Sequence, residues 1–201
     1  MSPRRAAALR DGEASLREHL IGTAEQLIAR QGLTGLTVRV IAKQAGVADG
    51  VLYNHFTDKE ELLALGLRAH VVTVERGLGA LPEAGSGTVE ENLRAQLCHG
   101  LALHRAIVPA FAGLLAQPAV QARYAELAQA GPDWRERLIE YLRAERGLGR
   151  LRADADVDAS AAVLVGMCHE RVLSGLFSSQ PSHLREPSVD AVVATVLRGI
   201  G

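Results

Sequence analysis

The sequence predicts an all-α protein with an N-terminal helix-turn-helix and a longer C-terminal helical part. Apolar residues recur at helical spacing along most of the chain. Residues 37–56 contain two short helical patterns that meet at Gly46, which is the arrangement of a helix-turn-helix. No strand pattern or internal repeat is present, and 201 residues with 48% apolar content can bury a sizeable core.

Composition and charge argue against several classes of protein. No uninterrupted apolar run approaches the roughly 20 residues that span a bilayer, and the N-terminus lacks a signal peptide, so we expect a cytoplasmic protein with no membrane partner. Cys98 and Cys168 are too far apart in sequence to form a disulfide framework. The net charge is −1, but residues 1–57 carry seven basic and five acidic residues, a local balance of +2 that suits DNA binding.

Three regions are predicted along the chain. Residues 1–14 have no apolar period and are predicted to be a flexible tail, whose Arg4, Arg5 and Arg10 are either solvated or reach DNA phosphates. Residues 15–60 form the predicted helix-turn-helix domain, and residues 61–201 form a helical domain for ligand binding and dimerisation.

The N-terminal helices can be placed from their caps and apolar stripes. The first is predicted over about 15–31, ended by Gly32. Thr37 is a suitable N-cap for a second helix over about 38–45, and a third follows over about 49–55. Thr57-Asp-Lys-Glu60 has the capping-box pattern and opens a fourth helix that runs to about Gly77.

The C-terminal part is predicted to be helical throughout. A loop over 79–87 precedes a second capping box, Thr88-Val-Glu-Glu91, and a helix to about His104. Pro118 and Pro132 suit helix starts. Helices over about 156–177 and 188–200 close the chain, and the last has a continuous apolar stripe.

Residues 16–63 resemble the TetR family of bacterial repressors. The matching segments are Gly35-Leu-Thr-Val-Arg39, Ala45-Gly-Val47, Leu52-Tyr-x-His-Phe56 and Asp58-Lys-Glu-Glu-Leu-Leu63. The resemblance implies a homodimer that binds double-stranded DNA at a palindromic operator, with recognition helices about 34–36 Å apart. It also implies release by a small-molecule effector.

The same resemblance implies which residues contact DNA. Tyr53 and Lys59 resemble phosphate contacts, and Arg39 resembles a groove or phosphate contact. The full set of implied DNA-binding residues is Thr37, Arg39, Asp49, Gly50, Val51, Tyr53, Asn54, His55 and Lys59.

Three positions depart from the family's usual pattern. Ala48 stands where a hydroxyl residue commonly caps the recognition helix, so we expect the cap to move to Asp49. Val40 stands where an acidic residue often completes the box begun at Thr37. Val51 replaces a small polar residue and would pack on a thymine methyl, while Asn54 would read adenine.

The resemblance also implies a dimer interface and a ligand pocket in the C-terminal part. The interface candidates are Val163, Met167, Leu173, Val192, Val193, Val196 and Leu197; burial in one subunit's own core is the alternative. The pocket candidates are His99, His104, Phe111, Tyr124, Trp134, Tyr141, Met167 and His169; ordinary core packing is the alternative. Seven aromatic residues in the whole chain favour an aliphatic cavity.

Other functions are less well supported by the residues. The pairs Cys98-His99 and Cys168-His169 suggest metal, but adjacent residues on a helix point apart, so no metal site or cofactor is predicted. The catalytic motifs of hydrolases, P-loop proteins and zinc proteases are absent from the sequence, so no enzyme is predicted. The alternatives are a helical enzyme or carrier, and a constitutive DNA-binding regulator without a small ligand.

Overall fold

The computed structural model describes residues 3–128, 132–177 and 187–200, and all regular structure within those ranges is helical. This confirms the predicted fold class. The helices are α1 (Pro3–Gln31), α2 (Val38–Ala45), α3 (Asp49–Leu52), α4 (Lys59–Leu78), α5 (Val89–Phe111), α6 (Pro118–Ala128), α7 (Trp134–Gly147), α8 (Val157–Phe177) and α9 (Val189–Ile200), with a short 3-10 helix at Ala112–Ala116.

α1 begins at Pro3, whereas the sequence predicted a flexible tail through residue 14. Proline is favoured at the first helical position, and the alanine-rich run after it has high helix propensity, which the apolar period alone could not reveal. The side chains of Arg4, Arg5 and Arg10 lie outside the described side chains, so their predicted role stays open.

The caps of three helices explain where those helices start. Asp58 caps α4, accepting from the Glu61 N–H at 2.7 Å, so this cap lies one residue after the predicted box at Thr57. Thr88 and Glu91 form the predicted reciprocal cap of α5. Asp133 caps α7 through a capping box with Glu136, which places the helix start just after Pro132.

The chain divides into two compact units. One comprises Met1–Gly77 and Ala106–Ala130, and the other comprises Leu78–Arg105 and Gly131–Gly201. The predicted boundary at residue 60 separates α1–α3 from the rest, whereas the first unit also contains most of α4 and all of α6.

The first unit has a continuous apolar core. Leu20 and Ile28 of α1 pack with Ile41 of α2 and with Leu63 and Leu67 of α4, all of them almost fully buried. The same core includes Leu52 and Phe56 after the turn, and Ala110, Leu114 and Val120. The short helix-turn-helix is therefore held by packing rather than by its own length, since isolated helices this short are unstable in water.

The second unit is built on α5, α7, α8 and α9. Its buried residues include Leu93, Leu97, Leu138, Leu142, Leu164 and Val193. Gly100 of α5 allows a close approach, because a Cβ there would lie 2.2 Å from the Trp134 ring. Trp134 is accordingly buried over the backbone of α5.

Among the described residues, one helical stretch has the length and composition of a membrane span. Val89–Ala116 has a mean hydropathy of 1.3, with 39% of its most apolar window buried inside the protein. This stretch is not an uninterrupted apolar run, because it contains Arg94 and Arg105. Core helices of soluble proteins meet the same criterion, so this stretch is weak support for a membrane segment.

Candidate nucleic-acid interface

α2 is bounded by a cap at each end. The Val40 N–H donates to the Thr37 hydroxyl at 3.2 Å, as the sequence predicted. Gly46 ends the helix in the left-handed region, with φ at +72°. The N–H of Val47 then donates to the Ala42 carbonyl at 3.0 Å, which closes the turn and fixes the direction of the next segment.

α3 is shorter than predicted. Only Asp49–Leu52 is α-helical, and the chain continues to Phe56 as hydrogen-bonded turns, with His55 and Phe56 donating to the Leu52 carbonyl. Ala48 occupies the N-cap position with no side-chain hydrogen bond, so the expected shift of the cap to Asp49 is not observed. A methyl side chain cannot accept from the first N–H groups, which leaves this terminus without a side-chain cap.

The surface of this motif presents most of the predicted DNA-binding side chains. Leu52 and Phe56 point into the core, while Tyr53 is 62% exposed. The exposed members of the predicted set are Thr37, Arg39, Asp49, Gly50, Tyr53 and Asn54, and the half-buried members are Val51, His55 and Lys59. The motif thus places polar and aromatic groups outward from a rigid apolar base.

Two side chains of α1 hold the motif in place. Arg17 pairs with Glu61 at 3.0 Å and lies over the Phe56 ring, with 5.0 Å between the guanidinium carbon and the ring centroid. Glu61 also accepts from the Thr57 N–H at 2.7 Å. His19 contacts the Ala45 carbonyl at the end of α2 through Nε2 at 3.2 Å. These contacts tie both ends of the motif to α1.

α6 reaches the start of α4 through an ion pair. Arg123 lies 3.0 Å from the Asp58 carboxylate, whose other oxygen caps α4. The backbone N–H of Glu61 and the Arg123 guanidinium hold the pKa of Asp58 below its ordinary value. Arg68 of α4 also donates to the Leu127 carbonyl of α6. Lys59, a predicted phosphate contact, follows directly after this braced cap.

Sequence comparison identifies this motif. The sequence model of bacterial regulatory proteins of the tetR family matches residues 20–65, which span the second half of α1 through the first turns of α4. Residues 20–65 are therefore a helix-turn-helix region of the TetR type.

Two curated relatives of this chain are transcriptional repressors. The chain is 32% identical to the HTH-type transcriptional repressor NemR of Escherichia coli (strain K12) over 83 residues, which cover 41% of this chain and 42% of NemR. The aligned region therefore spans less than half the length of NemR. The HTH-type transcriptional repressor KstR2 of Mycobacterium tuberculosis (strain H37Rv) is 27% identical over 146 residues, which cover 72% of this chain and 73% of KstR2.

A solved structure supports the same fold over nearly the whole chain. The flavonoid-responsive regulator FrrA superposes with a TM-score of 0.66 at 25% sequence identity, covering 93% of this chain and 97% of FrrA. The similarity therefore extends beyond the helix-turn-helix into the C-terminal helices.

The surface of the motif also carries a basic residue that the predicted DNA-binding set did not include. Lys43 is exposed on α2 one helical turn after Arg39, so the two cations can share one face. The sequence could have indicated this, because the two residues are four positions apart in a predicted helix. Arg17 and Asp58, which position the motif, could not be found in this way because their partners are distant in sequence.

The structure separates the predicted pocket residues into two groups. Phe111 and Tyr124 belong to the first unit, where their rings pack edge to face at 5.1 Å against the core of the helix-turn-helix. The other six, His99, His104, Trp134, Tyr141, Met167 and His169, belong to the second unit. A single pocket within one unit therefore cannot contain all eight residues. The sequence analysis did not separate them, because sequence order alone does not show that the end of α5 packs with the first unit.

Three of the six residues in the second unit form a ring cluster. The His104 ring lies 5.4 Å from the Trp134 ring and 4.6 Å from the His169 ring, edge to face in both cases. Burial, the largest cause, lowers the pKa of His104, and His169 lowers it further. Tyr141 is buried at a separate level, beside Asn92 and Glu145, and burial raises its pKa.

The predicted interface residues also separate into two groups. Val193 and Val196 are buried in the core of one subunit, so they offer little surface to a partner. Their positions on the apolar stripe of α9 pack this helix against its own subunit. Val163 and Leu173 of α8 are 59% and 40% exposed. Met167, Val192 and Leu197 are half-buried.

The cysteines and histidines form no metal cluster within the described ranges. Cys98 is exposed and Cys168 is buried, and both are free thiols. Burial raises the pKa of Cys168 to about 12, so this thiol stays protonated at neutral pH.

Proposed function

We propose that this chain is a DNA-binding transcriptional regulator that acts as a cytoplasmic homodimer on a palindromic operator, and that a small molecule releases it. The observation that carries the proposal is the braced motif itself: exposed Arg39, Tyr53 and Asn54 project from a turn whose other face is core. Phosphate contacts fix such a motif on the duplex, and side chains at base edges read the sequence.

The relatives support both halves of this proposal. NemR and KstR2 are named transcriptional repressors, and FrrA is named a flavonoid-responsive regulator. We therefore assign repression and a response to a small molecule to this chain. The proposal includes no catalytic step.

Fluorescence anisotropy with the DNA upstream of the chain's own gene tests DNA binding. We expect affinity to fall steeply with salt, because each phosphate contact releases counterions. Arg39→Ala should lower the magnitude of the slope of log affinity against log salt by about one, because one phosphate contact is lost. Arg135→Ala, which removes an exposed arginine on α7, is the matched control and should leave the slope unchanged.

Two results would count against the proposal. Absence of salt-sensitive binding to any fragment of that region would remove the DNA-binding assignment. Equal effects of Arg39→Ala and Arg135→Ala would show that the chain's general charge, rather than the motif, binds DNA.

A further inference from the structure

The first helix continues well beyond the part that holds the helix-turn-helix. α1 runs without interruption from Pro3 to Gln31. Arg17, which pairs with Glu61 and lies over the Phe56 ring, is 14 residues after Pro3. At 1.5 Å per residue, the segment before Arg17 is about 21 Å long.

The packing of α1 on α4 shows in which direction this segment extends. The two helices meet at Gly66, where an added Cβ would lie 2.9 Å from the Ala24 Cβ. Nearer the N-terminus of α1 they meet again, where Arg17 lies 3.0 Å from Glu61. The two helices therefore run in the same general direction, and α1 continues past Lys59, the first residue of α4.

The end of α4 that α1 passes is the end at which DNA contacts are predicted. Lys59 begins α4, and the exposed Tyr53 precedes it in the motif. Both are predicted phosphate contacts. The His19 ring of α1 also contacts the Ala45 carbonyl at the end of α2. A duplex bound by the motif therefore lies close to the segment of α1 before Arg17.

The sequence of this segment is basic and contains few large apolar residues. Residues 3–10 include Arg4, Arg5 and Arg10, and the first acidic residue of the chain is Asp11. Leu9 is the only large apolar residue between positions 3 and 14. One such residue makes no apolar stripe, so burial in the subunit's own core does not explain the segment. Its concentration of positive charge suits a polyanion.

We propose that residues 3–10, the basic arm, contact phosphates of the duplex that flanks the sequence bound by the helix-turn-helix. The assignment rests on the proposed function, in which the motif binds DNA. Arg10 lies seven residues before Arg17, so the two share one face of α1, the face that meets the start of α4. Arg4 and Arg5 lie about 8–9 Å further along the helix, which corresponds to two or three base pairs. Such contacts add affinity without sequence preference.

Fluorescence anisotropy with the full-length protein and the DNA upstream of its own gene tests the basic arm. One variant combines Arg4→Gln, Arg5→Gln and Arg10→Gln, because glutamine and arginine have similar helix propensity. Each lost phosphate contact should reduce the magnitude of the slope of log affinity against log salt by about 0.9, or about 2.7 for each subunit. Affinity at about 0.1 M salt should fall at least about tenfold.

A charge-matched control variant combines Arg135→Gln, Arg152→Gln and Arg198→Gln, which are exposed arginines of the second unit. It changes the net charge by the same amount and should leave the slope unchanged. Equal slopes in the arm variant and the control variant would overturn the proposal.

Lysine at the three arm positions separates a phosphate contact from a role in folding. The variant with Arg4→Lys, Arg5→Lys and Arg10→Lys keeps the charge, so it should retain the wild-type slope. Circular dichroism and melting temperature should be the same for the lysine and glutamine variants. A lysine variant with the reduced slope of the glutamine variant would show that positive charge is not what the arm supplies.

Duplexes with different flanks test where the basic arm binds. Trimming the DNA to the recognised sequence should abolish the difference between the wild-type protein and the glutamine variant. About six further base pairs at each end, which match the 21 Å segment, should restore it. Equal losses on trimmed and flanked duplexes would overturn the assignment to flanking DNA. A loss confined to A·T-rich flanks would indicate base reading in the minor groove and would overturn the assignment to phosphates.

The wild-type protein separates the two proposals. If it shows no salt-sensitive binding to any fragment of the upstream region, the proposed function and the basic arm are both wrong. If it binds as expected and the glutamine variant binds equally well, the basic arm is wrong and the DNA-binding function stands.

Discussion

At the residue scale, the turn of the helix-turn-helix depends on one glycine. Gly46 has φ at +72°, and the turn that it makes brings Val47 back onto the end of α2. The sequence predicted this position, since a glycine after a helical stretch commonly adopts this conformation. It could not predict the ion pairs of Arg17 and Asp58, because their partners lie 44 and 65 residues away.

We expect Gly46→Ala to destabilise the first unit. The left-handed conformation costs a residue with a Cβ about 1–2 kcal/mol, so the free energy of unfolding should fall by that amount and operator affinity should fall with it. Gly22→Ala is the opposite control, because Gly22 lies inside α1 with open space at its Cβ position. It should raise stability by about 0.5–1 kcal/mol. Urea unfolding of both variants measures the difference, and a stabilising Gly46→Ala would contradict the role of the turn.

His104 predicts how stability depends on pH. Because burial holds its pKa below the ordinary value of 6.5, the unfolded chain binds more protons than the folded chain as pH falls through 6.5. Stability contributed by the neutral ring is therefore complete above that pH and is lost as pH falls below it. The hydrogen bond with the Gly100 carbonyl and the charge of Asp133 raise the pKa of this ring, and His169 lowers it, but burial has the largest effect.

The variant His104→Gln tests this sign, since its side chain is polar and does not titrate. Melting temperatures between about pH 7.5 and 5 should fall less in the variant than in the wild-type protein. Parallel curves for the two proteins would show that His104 does not titrate in this range.

At the element scale, the sequence predicted the buried face of α3 but not its length. The apolar positions Leu52 and Phe56 predicted which face is buried, and the structure agrees. The α-helix ends at Leu52 rather than at residue 55, and the N–H groups of His55 and Phe56 donate to the Leu52 carbonyl in turns that follow it. Helix length here is set by packing in the first unit, which local propensity does not encode.

Base reading by this element is tested with Asn54 and Tyr53. If Asn54 reads one base, Asn54→Ala should cost about 1–3 kcal/mol on the preferred operator and relax discrimination at a single position. Tyr53→Phe, which removes a predicted phosphate contact, should instead weaken binding to every operator variant equally. Anisotropy across a set of single-base operator variants gives both patterns. Uniform loss with Asn54→Ala would assign this residue to the backbone of the duplex.

At the scale of the whole molecule, the sequence predicted the fold class and the family pattern. It was less informative about which residues form a ligand site. Residues 16–63 carried the family pattern, and the family's sequence model matches 20–65. The predicted pocket residues fall in both units, with Phe111 and Tyr124 in the first, and sequence order alone did not reveal this division. The burial of Gln96 and Glu145 was not predicted, because single polar residues in helices usually face solvent.

The proposed homodimer depends on the exposed apolar face of α8. One helix-turn-helix makes few contacts, so operator affinity requires two copies held at the spacing of the DNA turn. Val163 is 59% exposed in one subunit, so Val163→Asp should leave the subunit folded while placing a carboxylate in the predicted dimer interface. We expect a folded monomer by light scattering and circular dichroism, and operator affinity lower by at least about tenfold.

Leu115→Asp is the matched control, because Leu115 is 84% exposed in the first unit. It introduces the same charge at another exposed apolar position and should leave both the dimer and operator binding intact. A dimeric Val163→Asp variant would place the interface elsewhere than on this face of α8. A variant that is monomeric yet binds the operator with full affinity would instead show that one motif suffices, and the argument for a palindromic operator would fail with it.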